Sequence, residues 1–539
     1  MEWPDFILQH EGDDLTRLVL ARDKYPGVDV ALAAATIECR RRLREKVPEW
    51  YARPELVFPI RLSAEQCSSS ATARYKARLA ASLLPLLPHS DLPPQSALTA
   101  SGGSRPSPSC NGRLADLTGG LGVDSWAFSE VFSEVLYNEM LPELADAARR
   151  NFYALGAGNI RVCSHRIGGG YNTATPDPES IPVAALLGDF RPDVIYLDPA
   201  RRGSGGRKVF LLEDCSPDVT RLLPELLAAA PYVLLKLSPM ADVSMLLSRL
   251  QHVREVHVVA VGGECKELLL LLDRRFDCEP EIVAVEIPER IRNDEGTVRN
   301  GKVLPNDVVA VRSDAAAAGK DKVLPNDVVA VRSDAAAVGK DKVLPHHVVA
   351  IRFRRGEEAD AVPQFGVPEV GNWLFESGKS LSKAGCFNLI SERFGLRKLG
   401  RNTHLYLAET CPSVHANAGT GCCEDAERVP LPGKWFRVLE LLPLDKRGIV
   451  AAGSKYPGAD VTARGVPLTS DDLAARLKKA SKKTAGKIPE QDVADARNDF
   501  AGVPKDMPCA WNDLPVHLWG VHCDVSGQNL LLVTVPFSI

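Results

Sequence analysis

The residues best suited to chemistry lie in the segment ADLTGGLGVD, residues 115–124, which joins a predicted strand to the helix that follows it. A glycine turn at such a junction lets the backbone approach a ligand closely and directs helix N-terminal N–H groups towards it. Asp116 ends the first predicted strand. Glu139 ends the second, where a carboxylate can accept hydrogen bonds from both ribose hydroxyls of a nucleoside. These spacings predict a nucleoside-binding pocket at the carboxyl ends of two strands.

The charge of this segment narrows the class of ligand. A dinucleotide-binding fingerprint needs a third glycine at position 125, where the chain has Ser125, and Asp124 would repel a pyrophosphate. The pattern therefore disfavours NAD and FAD. A cationic sulfonium joined to adenosine fits an acid-flanked pocket better, because opposite charges attract.

A second polar segment, YLDPARRG at residues 196–203, follows the fourth predicted strand. Open α/β sheets place their chemistry at the carboxyl ends of the strands, so we expect Asp198 to orient an acceptor group and Pro199 to fix the turn. Arg201 and Arg202 suit contacts with phosphates or bases, although adjacent arginines at a helix start can also serve only in salt bridges. The predicted catalytic residues are Asp198, Pro199 and Arg201, and Arg202 is a predicted substrate contact.

The elements that must position these residues are short β-branched apolar runs that alternate with helical periods. Seven strands are predicted, at 113–118, 135–139, 159–164, 193–199, 232–239, 254–261 and 267–273. The first five alternate with helices and imply a parallel sheet with right-handed crossovers. Only GGECK separates the last two strands, which is too short for a crossover helix, so the seventh strand should be antiparallel. We therefore expect an α/β fold with a Rossmann-like seven-stranded sheet.

Smaller regions flank this sheet. Apolar positions three and four residues apart predict a helical N-terminal domain over residues 1–90, followed by a linker rich in Pro, Ser and Gly over 91–112. The sheet domain is assigned to 113–280. Two small α+β domains are predicted at 281–410 and 433–539, separated by a linker at 411–432.

Residues 302–341 contain two near-identical 20-residue copies that begin KVLPNDVVAVRSDAAA, and a third, diverged copy follows them. The first two copies differ only at Ala318 and Val338, whereas solenoid arrays drift more and need several units with caps. We interpret the copies as a recent tandem insertion of one strand and loop. Only VVAIRF, residues 348–353, is then an integral strand of the next domain.

Several stretches of the chain resemble a known family. The sheet looks like that of class I S-adenosylmethionine-dependent methyltransferases, and the whole chain resembles a bacterial family of them, the THUMP-like-domain methyltransferases typical of Bacteroidetes. The matching stretches cover all but the linkers, the repeat and a late insertion; they are LSAEQCSSSATARYKA (62–77), DLTGGLGVD (116–124), YNEMLPELADAARRNF (137–152), YLDPARRG (196–203), VGGECKELLLLL (261–272) and SLSKAGCFNLISERFGLRKLGRNTHLY (380–406). The resemblance implies a helical N-terminal region, the methyltransferase domain, a small ferredoxin-like domain and a C-terminal THUMP-like domain. It also implies S-adenosylmethionine as the cofactor and RNA as the substrate.

Carried onto this sequence, the resemblance assigns cofactor-binding roles around the glycine turn. The residues expected to bind S-adenosylmethionine are Asp116, Thr118, Gly119, Gly120, Gly122, Asp124 and Glu139, with Glu139 on the ribose. After the third strand, CSHRIGGG replaces the usual Gly-Asp pair. The residue that contacts the adenine amine is therefore unassigned.

The segment DPARRG departs from familiar acceptor motifs. Amino-methylating enzymes carry Asp/Asn-Pro-Pro-aromatic at this place, which the chain lacks. The DPARxG form looks like that of RNA uracil-C5 methyltransferases, but those enzymes need a cysteine nucleophile at the end of the fifth strand, where this chain has LKLSPM. We therefore expect transfer to a nitrogen or an oxygen, with Asp198 orienting the acceptor.

Two basic clusters predict the contact with RNA. Residues 40–78 carry ten Lys/Arg against four acidic residues, and residues 372–404 carry six against two. Such clusters either grip phosphates or form solvated faces. The expected substrate contacts within them are Arg74, Lys76, Arg397, Lys398 and Arg401.

The composition excludes several classes of protein. With 539 residues, 45% hydrophobic and 25% charged, the chain is typical of multidomain globular proteins, and its apolar runs are far shorter than the ~20 residues of a membrane helix. Thirteen cysteines without a CxxC pair, and an acidic N-terminus unlike a secretory signal, favour reduced thiols and a cytoplasmic location. Eleven histidines without metal-ligand spacing predict no metal.

Two alternatives to RNA methylation remain, namely a non-catalytic RNA-binding or assembly protein on a methyltransferase scaffold, and a methyltransferase for a protein or small molecule.

Overall fold

A computed structural model describes residues 2–84, 110–168, 180–201, 212, 215–288, 348–410, 431–484 and 515–537. The chain divides into two compact units, unit 1 with residues 1–261 and 266–280, and unit 2 with residues 262–265 and 281–539. The predicted sequence features that lie outside the described residues are Arg202, the repeat at 302–341, the late insertion near 485–512 and most of the linkers at 91–112 and 411–432.

Unit 1 begins with helices, as the apolar spacing predicts. They are α1 Trp3–Gln9, α2 Leu15–Leu20, α3 Val30–Lys46, α4 Pro48–Tyr51, α5 Arg61–Gln66 and α6 Ser70–Ala81, with a 3₁₀ turn at Arg22–Lys24. Asp29 caps α3 by accepting a hydrogen bond from the Leu32 N–H, and Ser69 caps α6 by accepting one from the Thr72 N–H. Each cap satisfies a backbone N–H that has no partner inside its helix. The cap on α6 fixes the start of the helix that carries Arg74 and Lys76.

The sheet of unit 1 contains all seven predicted strands. Its elements are β1 Arg113–Asp116, α7 Val123–Phe128, β2 Glu134–Asn138, α8 Pro142–Ala154, β3 Ile160–Cys163, β4 Arg166–Ile167, β5 Ser180–Ile181, α9 Val183–Leu187, β6 Val194–Leu197, β7 Ala200–Arg201, β8 Cys215–Ser216, α10 Val219–Ala229, β9 Tyr232–Leu237, α11 Val243–Arg249, β10 Val253–Val261 and β11 Glu264–Asp273. The seven strands lie in the order β10, β11, β9, β6, β1, β2, β3. The pairs around β1 are parallel, and β11 runs antiparallel to β9. The predicted Rossmann-like sheet with an antiparallel seventh strand is confirmed.

Strand β1 lies between β2 and β6, and this central place sets the position of the chemistry. Ala115 is paired with Leu136 of β2 and with Ile195 of β6, and all three side chains are fully buried. Because parallel strands end at the same edge of a sheet, Asp116 and the residues that follow β2 and β6 come together there.

The hairpin between β10 and β11 has a shorter turn than the predicted GGECK loop. β10 ends at Val261 and β11 begins at Glu264, so the turn consists of two residues. Gly262 and Gly263 both have positive φ, +57° and +77°. That conformation is typical of the tight hairpin turns that match strand twist, and glycine adopts it without steric cost.

Unit 2 is an α+β region. Its elements are β12 Glu281–Ile287, β13 Val348–Arg354, α12 Arg355–Asp360, β14 Trp373–Ser377, α13 Lys379–Ala384, α14 Phe387–Phe394, β15 Arg397–Lys398, β16 Leu405–Ala408, β17 Gly433–Pro443, α15 Lys446–Lys455, β18 Asp460–Arg464, α16 Ser470–Thr484, β19 His517–Cys523 and β20 Gln528–Phe537. β12 and β13 pair in antiparallel fashion, which confirms that residues 348–353 form a strand. β19 and β20 also pair in antiparallel fashion.

One seven-stranded sheet joins both predicted small domains of unit 2. Its order is β15, β16, β14, β17, β20, β19, β18, and β14 pairs with β17 through Trp373 and Arg437. Leu374, Phe436 and Trp519 share one apolar core. Residues 373–408, 433–464 and 517–537 therefore fold around common strands. Pairing of strands across a linker is a long-range contact that local sequence patterns do not reveal.

The segment KSLSKAGCFNLISERFG, residues 379–395, forms two helices. α13 ends at Gly385, which has φ of +82°, and α14 starts at Phe387. A glycine in this left-handed conformation ends a helix because it lets the backbone turn away without a Cβ clash. The apolar spacing continues across the break and so conceals it.

None of the described helices is long and apolar enough to cross a membrane.

Candidate active site

The turn after β1 is fixed by backbone hydrogen bonds to both neighbouring strands. The Leu117 N–H donates to the Tyr196 carbonyl at 3.1 Å, and the Gly119 N–H donates to the Asn138 carbonyl at 2.8 Å. These bonds hold the turn against β6 and β2. The backbone from Thr118 onwards is thus placed before any ligand arrives.

Glycine is required at several positions of this turn. A Cβ on Gly119 would lie 2.1 Å from the ring of Tyr137, whose hydroxyl donates to the Gly120 carbonyl at 2.6 Å. Gly120 and Gly122 have φ of +52° and +95°, where L side chains are strained. Thr118, Gly119 and Gly120 are partly exposed, whereas Gly122 is buried. The part of the turn open to a ligand is therefore residues 118–120.

Asp116 lies beneath the turn and does not reach solvent. Its carboxylate accepts hydrogen bonds from the Ser125 hydroxyl at 2.6 Å and from the Thr118 N–H at 3.1 Å. Burial raises the pKa of Asp116 to about 8, and the nearby Asp124 and Asp198 carboxylates add to that rise. Asp116 was expected to contact the cofactor directly, but its side chain is fully buried and therefore inaccessible to a ligand. Its observed role is to hold Thr118 and the start of α7.

Glu139 lies beside the turn, directly after β2, and is 8% exposed. One carboxylate oxygen accepts from the Gly120 N–H at 2.9 Å, and the other accepts from the Leu141 N–H at 3.0 Å. Two backbone donors therefore orient both oxygens. The glycine turn and Glu139 are brought together as the sequence predicts.

Asp124 faces away from the turn, contrary to the expectation that it lines the cofactor pocket. Its carboxylate accepts from the Ser68 hydroxyl at 2.9 Å and the Tyr196 hydroxyl at 2.8 Å, and it pairs with Lys76 at 3.1 Å. Burial opposes its ionisation, but the Lys76 and Lys236 ammonium groups outweigh burial and lower the pKa of Asp124. Asp124 is therefore an internal anion that anchors the N-terminal helices.

Asp198 follows β6 and lies beside the glycine turn. Its backbone N–H donates to the Thr118 hydroxyl at 2.6 Å, and its carboxylate pairs with the Lys236 ammonium at 2.6 Å. About a third of the Asp198 side chain is exposed, 34% against 14% for Lys236. Lys236 of β9 therefore neutralises this acid.

Lys76 and Glu267 form a buried ion pair behind Asp198 and Lys236. The Lys76 ammonium contacts the Glu267 carboxylate at 3.0 Å and also donates to the Ser68 hydroxyl at 2.8 Å. Lys76 is fully buried, so the prediction that it contacts RNA is wrong. The cause is that Lys76 lies on the inner face of α6, where buried acids must be neutralised.

The other predicted substrate contacts are largely engaged within the protein. Arg74 pairs with Glu49 at 2.6 Å and with Glu130 at 3.3 Å. Arg397 pairs with Glu409, and Lys398 is buried and donates to Asn388, so the prediction of a phosphate contact is wrong for Lys398. Arg401 is exposed.

Sequence reasoning missed Lys236, Glu267, Ser68 and Tyr196 as parts of this site. Two of them had a visible signal, since Lys236 interrupts the apolar run YVLLKL and Glu267 precedes LLLLL. A charged residue within a strand that is otherwise apolar is costly to bury without a partner. Such residues are candidates for a buried charge network.

No group of three or more His, Cys, Asp or Glu suited to a metal ion occurs among the residues described above.

The strand order, with β11 antiparallel to β9, is that of the Rossmann-like sheet that the sequence predicts. The structure of a candidate methyltransferase from Porphyromonas gingivalis W83 is similar, with a TM-score of 0.63 and 24% sequence identity. The match covers 99% of this chain and 97% of that chain. This likeness extends the shared fold over both units.

Other comparisons cover parts of the chain. A family model of a ferredoxin-like domain matches residues 373–413, and all but the last three of them lie in the first predicted α+β domain, 281–410, which is the domain expected to be ferredoxin-like. A precorrin-6y C5,15-methyltransferase from Geobacter metallireducens GS-15 matches at 12% identity and a TM-score of 0.19, over 30% of this chain and 79% of that chain. A SAM-dependent methyltransferase from Aquifex aeolicus matches at 16% identity and a TM-score of 0.20, over 30% of this chain and 82% of that chain. No curated protein matches the sequence.

Proposed function

We propose that this protein is an S-adenosylmethionine-dependent methyltransferase that acts on RNA. The observation that carries the proposal is the geometry after β1 and β2. There the partly exposed turn of residues 118–120 lies beside the Glu139 carboxylate, and backbone N–H groups orient both oxygens of that carboxylate. This arrangement suits a nucleoside whose ribose hydroxyls bind Glu139 and whose chain follows the turn.

The residues present fit S-adenosylmethionine better than a phosphate-bearing nucleotide. The carboxylates of Glu139 and Asp198 lie beside the turn, and their negative charge favours a cation. Gly119 and Gly120 would contact the ligand through their backbone. When bound, S-adenosylmethionine supplies an electrophilic methyl group.

Asp198 is proposed to orient the acceptor. It lies one hydrogen bond from Thr118, and therefore next to the proposed donor site. Asp198→Ala should lower the methyl-transfer step by about 10²-fold or more, because a positioned acceptor-orienting group is lost. Affinity for S-adenosylmethionine should change less than about tenfold, since the acid serves the acceptor.

Exposed basic side chains support RNA as the substrate class. Arg44 in the first basic cluster, and Lys379 and Arg401 in the second, are exposed. If they contact phosphates, RNA binding should weaken steeply with salt, and Lys379→Ala and Arg401→Ala should each reduce the log–log slope by about 1. An RNA affinity that does not change with salt concentration would contradict an RNA substrate. Residues 433–539 are proposed to be the THUMP-like domain that the sequence resemblance implies.

The location is proposed to be the cytoplasm. The nine described cysteines are all free, as expected for a reducing compartment.

Isothermal calorimetry with S-adenosylmethionine tests the central proposal. Micromolar binding that Glu139→Ala weakens would support an enzyme. Absence of binding at millimolar ligand would contradict it and favour a non-catalytic protein on the same scaffold.

A further inference from the structure

Building on the proposed methyl transfer, we propose that the acceptor atom is a hydroxyl oxygen, held between the carboxylate of Asp198 and the ammonium of Lys236. The two groups end neighbouring parallel strands, β6 and β9, and lie 2.6 Å apart. Asp198 is the more exposed of the two, so an acceptor can approach the pair from solvent.

A hydroxyl group matches this pair because it has one donor and two lone pairs. Its O–H can donate to Asp198 while one lone pair accepts from Lys236. The second lone pair remains free to attack the methyl group. All three interactions can exist at once on one oxygen atom.

A nitrogen acceptor matches the same pair poorly. An amine nitrogen has a single lone pair, and that pair must attack the methyl carbon. A hydrogen bond from Lys236 would occupy it, and the nitrogen gains positive charge on methylation while it faces an ammonium. Like charges at such a distance repel. The Asp198–Lys236 pair therefore selects oxygen over nitrogen.

The transfer balances with the residues present. The bond between oxygen and the methyl carbon forms as the bond between that carbon and the sulfonium sulfur breaks, leaving an ether and a neutral thioether. The hydroxyl proton passes to the Asp198 carboxylate and from there to water. Burial alone would lower the pKa of Lys236, but Asp198, Glu267 and Asp124 outweigh burial and raise it above the usual range. Lys236 thus stays an ammonium and stabilises the negative charge that develops on the oxygen.

Lys76, Glu267 and Asp124 act as positioning residues for this pair. The Lys76 and Glu267 side chains are 0% and 3% exposed, so they do not touch an acceptor. The Glu267 and Asp124 carboxylates act electrostatically on the Lys236 ammonium, and Lys76 pairs with both acids. Removing any one of these charges would therefore unbalance the charges around Lys236. Lys76 of helix α6 therefore supports the proposed acceptor site from inside the protein and does not contact RNA.

The product identifies the acceptor atom. RNA and a small-molecule extract, both from cells that lack the gene, are incubated with the full-length protein and methyl-labelled S-adenosylmethionine. Label in RNA that survives alkaline hydrolysis as dinucleotides, and that appears on the ribose after nuclease digestion, supports a hydroxyl acceptor in RNA. Label on an alcohol in the small-molecule extract supports the hydroxyl but not RNA. Label on a base nitrogen, or in neither fraction, overturns the inference. If calorimetry shows no cofactor binding, the proposed function fails instead.

Variants of the pair supply the second test. Lys236→Met should lower the single-turnover rate at least 10²-fold while the Kd for S-adenosylmethionine changes less than threefold, and Lys236→Arg should restore part of the rate. Lys24→Met, at an exposed lysine of unit 1, is the matched control and should leave both quantities unchanged. A wild-type rate in Lys236→Met would overturn the assignment.

The positioning role is tested by a double variant that preserves net charge. Lys76→Met with Glu267→Gln removes one buried cation and one buried anion together, which avoids an unpaired charge at that contact. We expect kcat to fall at least tenfold with KM unchanged in a protein with a cooperative melt. If the double variant folds and keeps the wild-type kcat, Lys76 and Glu267 serve stability alone. If the double variant fails to fold, Lys76→Arg replaces it as the test because it keeps the positive charge. Lys76→Arg should retain kcat within threefold of wild type, and a larger loss of kcat would contradict positioning by charge.

Discussion

Replacing Glu139 measures how much of the cofactor affinity depends on one oriented carboxylate. The Gly120 and Leu141 N–H groups already hold both of its oxygens, so binding a ribose requires no further ordering of this side chain. A hydrogen bond to a charged group contributes about 1.5–3 kcal/mol, and Glu139→Ala removes the charged acceptor from the ribose. The expected rise in the Kd for S-adenosylmethionine is about 10- to 150-fold.

Calorimetric titration of wild type, Glu139→Ala and Glu139→Gln measures this effect. The Gln variant keeps one acceptor oxygen without the charge, so its Kd should lie between the other two. Glu143→Ala, at an exposed acid in the first turn of α8, is the control and should bind like wild type. A Kd for Glu139→Ala within twofold of wild type would refute the placement of the ribose at this carboxylate.

Three further perturbations have expected outcomes. Burial raises the pKa of Asp116 to about 8 from its usual 3.8, so between these values the folded chain keeps a proton that the unfolded chain loses, and wild-type stability falls as pH rises. Asp116→Asn should therefore gain stability relative to wild type in urea unfolding between pH 4 and pH 8, with a slope of at most about 1.4 kcal/mol per pH unit; a difference independent of pH would contradict the buried proton. Gly119→Ala should lose about 1–3 kcal/mol of stability because its Cβ would meet the Tyr137 ring at 2.1 Å, whereas Gly158→Ala, which has open space around it, should melt like wild type. Deletion of residues 302–341 should leave the thermal midpoint and cofactor binding unchanged, because long insertions are tolerated thermodynamically, and a deletion variant that does not fold would show that the copies are integral.

Local patterns were sufficient for most of the first unit. The seven strands follow from β-branched runs, and the antiparallel seventh strand follows from a connection too short for a helix. Glycines at 119, 120 and 122 reveal the turn, because Gly120 and Gly122 have positive φ and a Cβ on Gly119 would meet the Tyr137 ring. In the second unit, the helix break at Gly385 escaped prediction because the apolar spacing continues across it. The pairing of β14 with β17 also escaped prediction, because it joins residues far apart in the chain.

The sequence by itself determined the types of groups at the sheet edge, because strand ends and glycine turns depend on residues close together in the chain. The sequence did not determine which charged side chains form ion pairs with one another. Lys76, Asp198, Lys236 and Glu267 are spread over 191 positions, and only folding brings them into one network. A buried charge must find an opposite charge wherever the fold places one, and that partner has no sequence spacing of its own. For this reason the tertiary structure decided that Lys236 neutralises Asp198 and that Lys76 lies inside the protein.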